Sequence, residues 1–439
     1  MSQARFIHLD EAKQTAFEHL KRYVEEETEI DRALLAADLF GKLRVVLWAL
    51  PAIVEKFQAK LRVDLESACG QWWTGEVLNA SEAVESDRAL WEGAWNTARA
   101  HRDLERLRIL ERHRTRTAWF VDVSDPLWDT SEKDAPPIVV FYSFKGGLGR
   151  STALASFAIQ RARQGERVAV VDFDLDAPGV GILLAADEQG MASPWGTVDY
   201  LLERAQGPVP LSDYHHPCRR IAGHGEIVVI PSGHIDVQYP EKLARVDFEQ
   251  TPTEETSPVL RLLHDIRAEV KPNWILLDAR TGLAEPTGHL LSGLAHLHVL
   301  FGTTSEQSWR GLNVIIDRMG RQRVLDGKRQ AECLLVQALV PASVESGRRA
   351  TEAFAERARQ EFTELYYAVE PEDPSDERFW DVRDLESGDA PHVPVSITYR
   401  ESLAHFGDVA DVADELSDSK DYKNLEVRIA QRFAPEPEL

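Results

Sequence analysis

The stretch IVVFYSFKGGLGRST, residues 138–152, decides the fold. It opens with five apolar or aromatic residues and a serine, Ile138 to Ser143, the pattern of a strand buried on both faces of a parallel sheet. Gly146, Gly147 and Gly149 follow within four positions. Next comes a segment in which Ala153, Leu154, Phe157 and Ala158 recur at helical spacing, stopping near Gly165. Strand, glycine loop and helix in that order form the context a phosphate-binding loop requires. Glycines let backbone N–H groups close around an anion, and a helix N-terminus adds positive potential. Ser151 offers a hydroxyl suited to Mg²⁺ beside a β- or γ-phosphate. The usual loop carries lysine where this chain has Arg150, a permanent cation with a larger, forked head. Nucleotide binding at Gly146, Gly147, Leu148, Gly149, Arg150, Ser151 and Thr152 is expected to survive that change; fast hydrolysis is not.

Outward from the loop, further strands are predicted at 167–173, 226–230, 274–278, 296–301, 333–340 and 393–397. Most are near-continuous apolar runs separated by helical stretches, which gives an α/β class with a mostly parallel sheet flanked by helices. Two of these strands end in acids. Residues 172–179 read Asp-Phe-Asp-Leu-Asp-Ala-Pro-Gly, and Trp274-Ile-Leu-Leu runs into Asp278. Acids at the carboxyl ends of parallel strands lie where ligands bind in open α/β sheets. For Asp176 a helix-capping or Asx-turn role competes with chemistry.

Lys145-Gly-Gly-Leu-Gly-Arg150-Ser-Thr resembles the deviant Walker A loop of the MinD/ParA/ArsA-like P-loop ATPases, in a branch with arginine for the second lysine. The resemblance covers about residues 137–405. It implies ATP and Mg²⁺, with Ser151, Asp174 and Asp278 around the metal. It implies a dimer in which Lys145 reaches the partner's nucleotide, Asp174 orients the attacking water and Arg150 serves the bound phosphates. Ala279-Arg280-Thr281-Gly282 matches the second switch loop. Where that family often reads adenine with asparagine, this chain has Leu339-Val340-Pro341-Ala342, so the base is expected to be held by backbone and packing.

Residues 1–120 read as an all-α module, with Leu34, Leu35, Leu39, Leu43, Val46 and Leu47 at helical spacing. The first 128 residues hold seven of the eleven tryptophans, either filling a helical core or serving as anchors for a protein partner. Arg99, Arg102, Arg106, Arg108, Arg112, Arg114 and Arg116 make a basic stretch, read as a solvated helix face or as a patch for an acidic partner or nucleic acid. Residues 121–136, acidic and running into Pro136 and Pro137, read as a linker to an ATPase domain over 137–439. Residues 368–391 read as an acidic surface insertion and 435–439 as a loose tail.

At 439 residues the chain suits two to three domains of roughly 100–200 residues each. Its 43% hydrophobic and 28% charged content excludes a disordered or fibrous chain. A net charge of -23 argues against coating DNA or an anionic membrane. No run nears the ~18 apolar residues of a membrane span. Cys69, Cys218 and Cys333 are too scattered for a disulfide framework or metal pair, so a cytoplasmic, reducing setting is expected. The functional expectation is an ATP-driven dimerisation switch whose first module docks a partner, in cell organisation, metabolism, regulation or bacterial defence. The alternative is a nucleotide-binding structural subunit with little turnover. Scattered tyrosines disfavour a tyrosine kinase, and residues 424–433 read as a packed final helix rather than a membrane anchor.

Overall fold

The computed structural model describes residues 6–101, 104–113, 117–120, 125–185, 189, 191–246, 248, 257–367 and 380–434. Arg102, Arg114 and Arg116, the first half of the acidic insertion (368–379) and the tail (435–439) lie outside them. The chain divides into two compact units, Met1–Thr115 and Arg116–Leu439.

The first unit runs α1 (Leu9–Glu26), β1 (Arg32–Ala37), β2 (Leu43–Trp48), α2 (Pro51–Cys69), β3 (Trp73–Asn79), α3 (Glu85–Thr97), β4 (Arg99–His101) and β5 (Leu104–Glu111). Its five strands form one sheet in the order β3-β2-β1-β5-β4. β1 pairs in parallel with β5 and antiparallel with β2. Helices α1 and α2 bury Ala16, Leu20, Leu61 and Leu65 against one face; α3 closes the other, packing Trp95 on Trp48. Glu92 on α3 takes Arg32 with both carboxylate oxygens at 2.8 Å and also accepts from the Trp48 indole at 2.8 Å.

The expected all-α module is therefore corrected to an α/β unit. Leu34, Leu35, Val46 and Leu47 lie on β1 and β2, which are buried on both faces and so carry apolar residues at nearly every position. Leu39 belongs to the turn between them, where Asp38 Oδ1 accepts from the N–H groups of Phe40 and Lys42 and Gly41 takes φ +80°. The basic stretch is not a helix face either. Arg99 starts β4, and Arg106 and Arg108 lie on β5. Arg106 is spent on the carbonyls of Val24, Glu27 and Ile30, and Arg108 on that of Trp95.

The second unit contains β6 (Ile138–Ser143), α4 (Arg150–Arg163), β7 (Arg167–Phe173), β8 (His216–Pro217), β9 (Glu226–Ile230), β10 (Trp274–Ala279), β11 (Leu297–Gly302), β12 (Cys333–Val340) and β13 (Val395–Thr398). The sheet order is β13-β12-β11-β6-β10-β7-β9-β8, parallel except at β8. β6, β10 and β11 are buried at every residue, which explains their unbroken apolar runs. Separate apolar clusters cover the two faces. One holds α4 with helices Val409–Asp418 and Lys420–Gln431; the other holds helices Glu306–Met319 and Val344–Leu365. The final helix is packed, burying Tyr422, Leu425 and Ile429. No helix among the described residues is long and apolar enough to cross a membrane.

Much of the stretch read as linker is docked on this unit. Trp128 is buried, and its indole donates to the Pro136 carbonyl at 2.9 Å. Just upstream, the Trp119 indole donates to the carbonyl of Ala284 at 2.9 Å, and Arg318 donates to the carbonyls of Ala118 and Trp119. These two residues sit so close to Gly288 that a Cβ there would lie 2.9 Å from Ala118 Cβ.

Candidate functional site

β6 lies between β10 and β11, and its last residue, Ser143, hands the chain to the glycine loop. Gly147 and Gly149 take φ +76° and +77°, a region that side chains rarely adopt. A Cβ at Gly146, Gly147 or Gly149 would meet nothing within 4 Å, so the loop backbone is bare. Leu148 is buried and ties the loop to the core, while Lys145 is exposed and has no side-chain partner among the described residues. Gly149 caps α4 without a side-chain hydrogen bond, leaving the helix's first N–H groups uncapped by any side chain. Ser151 and Thr152, in the first turn, are half-buried.

The register of the parallel sheet gathers the acids. Asp278 on β10 is paired with Asp172 on β7, so the two carboxylates stand on adjacent strands; both are fully buried. Asp172 accepts from the N–H groups of Asp174, Gly179 and Gly181 at 3.1, 3.1 and 2.8 Å. It thereby folds the loop that follows β7. Burial, reinforced by the charge of Asp278, pushes its carboxyl up to about 8 against those three bonds. A Cβ at Gly181 would lie 3.0 Å from Asp172 Oδ2, so a larger residue would disrupt that arrangement. The sequence reading gave Asp172 no role; the Asp172-x-Asp174 spacing with Gly179-x-Gly181 was the available signal.

Arg150 sits at the centre. Its Nε donates to Asp278 Oδ1 at 2.6 Å and its Nη2 to Asp174 Oδ2 at 3.0 Å. Ser151 Oγ donates to the other Asp278 oxygen at 2.6 Å. The Arg150 residue is 6% exposed. Burial works against its charge, but Asp278 and Asp174 outweigh it and hold the guanidinium's pKa above its usual value. Burial also raises the Asp278 carboxyl, opposed by Arg150 and Ser151. Among the described residues, Nη1 of Arg150 and Oδ1 of Asp174 are out of solvent with no hydrogen-bond partner. Arg280, in the second switch segment, pairs with Asp176 at 2.5 Å and lies 3.9 Å from Asp174. Asp176 thus serves an ion pair at the loop surface.

Ser151, Asp174 and Asp278, the residues expected around Mg²⁺, are brought together, but around a guanidinium. Both Asp278 oxygens and one Asp174 oxygen are already engaged, so as arranged the three do not fit a resident divalent ion. No group of three or more His, Cys, Asp or Glu side chains among the described residues is placed to hold a metal. The segment Leu339–Ala342, expected near the base, is irregular: Leu339 takes φ +55° at a shift in the β12–β13 register.

No family model matches the chain. A 60-residue stretch is 37% identical to the iron-sulfur cluster carrier protein of Salmonella typhimurium and 35% identical to that of Escherichia coli. It covers 14% of this chain and 16% of each relative, so the match spans about a sixth of those curated proteins. Among solved structures, the ParA of pNOB8 bound to nonspecific DNA covers 68% of this chain and 98% of its own, at 16% identity and TM-score 0.45. MinD of Aquifex aeolicus covers 69% and 100%, at 15% identity and TM-score 0.41. MinD of Pyrococcus horikoshii, complexed with Mg-ADP, covers 67% and 95%, at 15% identity and TM-score 0.40. With its glycine loop between a central parallel strand and α4, and acids at the ends of β7 and β10, the second unit is similar in fold to the MinD/ParA P-loop ATPases.

Proposed function

We propose that the second unit is a nucleotide-dependent switch of the MinD/ParA type, holding ATP at residues 145–152. The carrying observation is the loop: three glycines open on the Cβ side, leading into a helix start that no side chain caps. Such a surface offers backbone N–H groups and a helix dipole to phosphate oxygens. The N–H groups of Gly146 to Thr152 surround the phosphates, and Arg150 adds a fixed positive charge. Lys145, exposed and without a side-chain partner among the described residues, supplies charge to the nucleotide of a second copy, as an arginine finger does in trans. Asp174 orients the water that converts ATP to ADP and phosphate. The first unit docks a protein partner, and the cytoplasm suits the three buried cysteines. Magnesium, the metal the resemblance implies, enters no step here, because its expected ligands hold Arg150.

A second reading is a nucleotide-binding structural subunit with little turnover. Its support is that Arg150 ties up Asp174 and Asp278, the acids hydrolysis would draw on. Gel filtration with and without ATP, alongside phosphate release, separates the two. A mass increase with ATP and slow release supports the switch; nucleotide binding with neither supports the subunit. Absence of ATP or ADP binding by the folded chain in calorimetry removes both.

A further inference from the structure

Resting on the nucleotide-site reading above, we propose that Arg150 takes the place of the divalent ion, bridging Asp174 and Asp278 to the nucleotide's phosphates, so that nucleotide binds without Mg²⁺.

In a metal-dependent loop the cation has two jobs. It neutralises carboxylates at the strand ends, and it presents positive charge to phosphate oxygens. Arg150 already does the first: its Nε and Nη2 reach Asp278 and Asp174 at 2.6 and 3.0 Å. Ser151, whose hydroxyl would otherwise be a metal ligand, is committed to Asp278 at 2.6 Å. For the second job the guanidinium has donors in reserve. A guanidinium carries five N–H donors in a fixed fork, and the two on Nη1 are buried without a partner among the described residues. Leaving them unmade is costly inside a protein, and an anionic oxygen in the adjoining loop satisfies them with charge-assisted bonds. A lysine could not do this, since its ammonium is a compact point charge that cannot span two carboxylates and a phosphate as a planar fork does. The neighbouring charges fit the same scheme. Arg280 pairs with Asp176 at the loop surface, and Asp172 is held by three backbone N–H groups, so neither needs a metal.

The test titrates the full chain with ADP and with ATP by calorimetry, once in excess EDTA and once in excess Mg²⁺. Affinities in the two buffers are expected to agree within about threefold. Arg150→Lys is expected to create a metal requirement, binding at least about tenfold more tightly with Mg²⁺ than with EDTA. Electron paramagnetic resonance of Mn²⁺ gives a second readout: the wild-type chain with nucleotide is expected to immobilise no more Mn²⁺ than nucleotide alone. Both wild-type measurements stand if the variant fails to fold. Wild-type binding about tenfold or more weaker in EDTA, or a protein-dependent Mn²⁺ signal, overturns the inference while leaving the nucleotide-site reading intact. No binding in either buffer overturns both.

Discussion

Gly311, on helix Glu306–Met319, lies directly against the ring of Phe144, the residue that opens the glycine loop: a Cβ built on it would stand 1.9 Å from Phe144 Cγ. No adjustment of a few tenths of an ångström relieves that overlap, so the ring must move, and the loop with it. Alanine is the better helix former by about 1 kcal/mol, yet overpacking of this kind costs about 1–3 kcal/mol. Gly311→Ala is therefore expected to lower the melting temperature and weaken ATP binding together. Calorimetry and thermal unfolding check this; an unchanged nucleotide affinity would show that Phe144 does not set the loop.

His298 on β11 is fully buried, and burial lowers its pKa to about 4. A base whose folded pKa lies below its unfolded value, about 6.5, binds fewer protons folded than unfolded between the two. Stability is thus full above about pH 6.5 and drains as pH falls toward 4, by up to about 3 kcal/mol. His289 and His296, also lowered by burial, act in the same direction. His298→Leu is expected to flatten the pH dependence of chemical unfolding over this window. The Glu332 carbonyl that faces His298 Nδ1 keeps its bond to the His298 N–H.

Arg106→Met is expected to destabilise the first unit by about 2 kcal/mol, since a guanidinium on three carbonyls is lost. DNA affinity of the full chain should be weak, fall steeply with salt and change little in this variant. Circular dichroism and filter binding give the two readouts. Strong, salt-resistant DNA binding abolished by Arg106→Met would instead make the β5 arginines a contact surface.

Lys145→Ala is expected to abolish turnover and weaken ATP-dependent dimerisation while sparing most nucleotide affinity, because Lys145 has no partner within its own chain among the described residues. Asp174→Ala should trap the ATP dimer. Sedimentation with ATP, alongside phosphate release, distinguishes them. A Lys145→Ala chain that dimerises and hydrolyses like wild type would favour the structural subunit.

The second unit was legible because its strands are buried on both faces. Runs such as Ile138–Ser143 and Arg167–Phe173 have the same limits in sequence and structure. The first unit was misread for the same physical reason. β1 and β2 are also apolar at every position except Arg32 and Arg44, and the turn between them places Leu39 where a helical stripe would continue. The Asp38…Gly41 pair was the turn signal, and it outranks a spacing that any dense apolar run will satisfy. At the site, the loop and the acids at 174 and 278 could be read from their positions at strand ends. The hold of Arg150 on both acids could not, since it depends on how β7, β10 and α4 come together in space. Nor could the Asp172–Asp278 pairing, which is a matter of strand register.

Gly288 provides a sorting mark for chains related to this one. Only a residue without a side chain admits Ala118 and Trp119 beside it, and the docked segment begins within three residues of the boundary at Thr115. Related chains with glycine at the matching position can route whatever precedes their P-loop unit along the same track. Those with a larger residue there must attach it by another path, or carry nothing there at all. A single column of an alignment would thus divide the relatives that share this attachment from those that share only the loop.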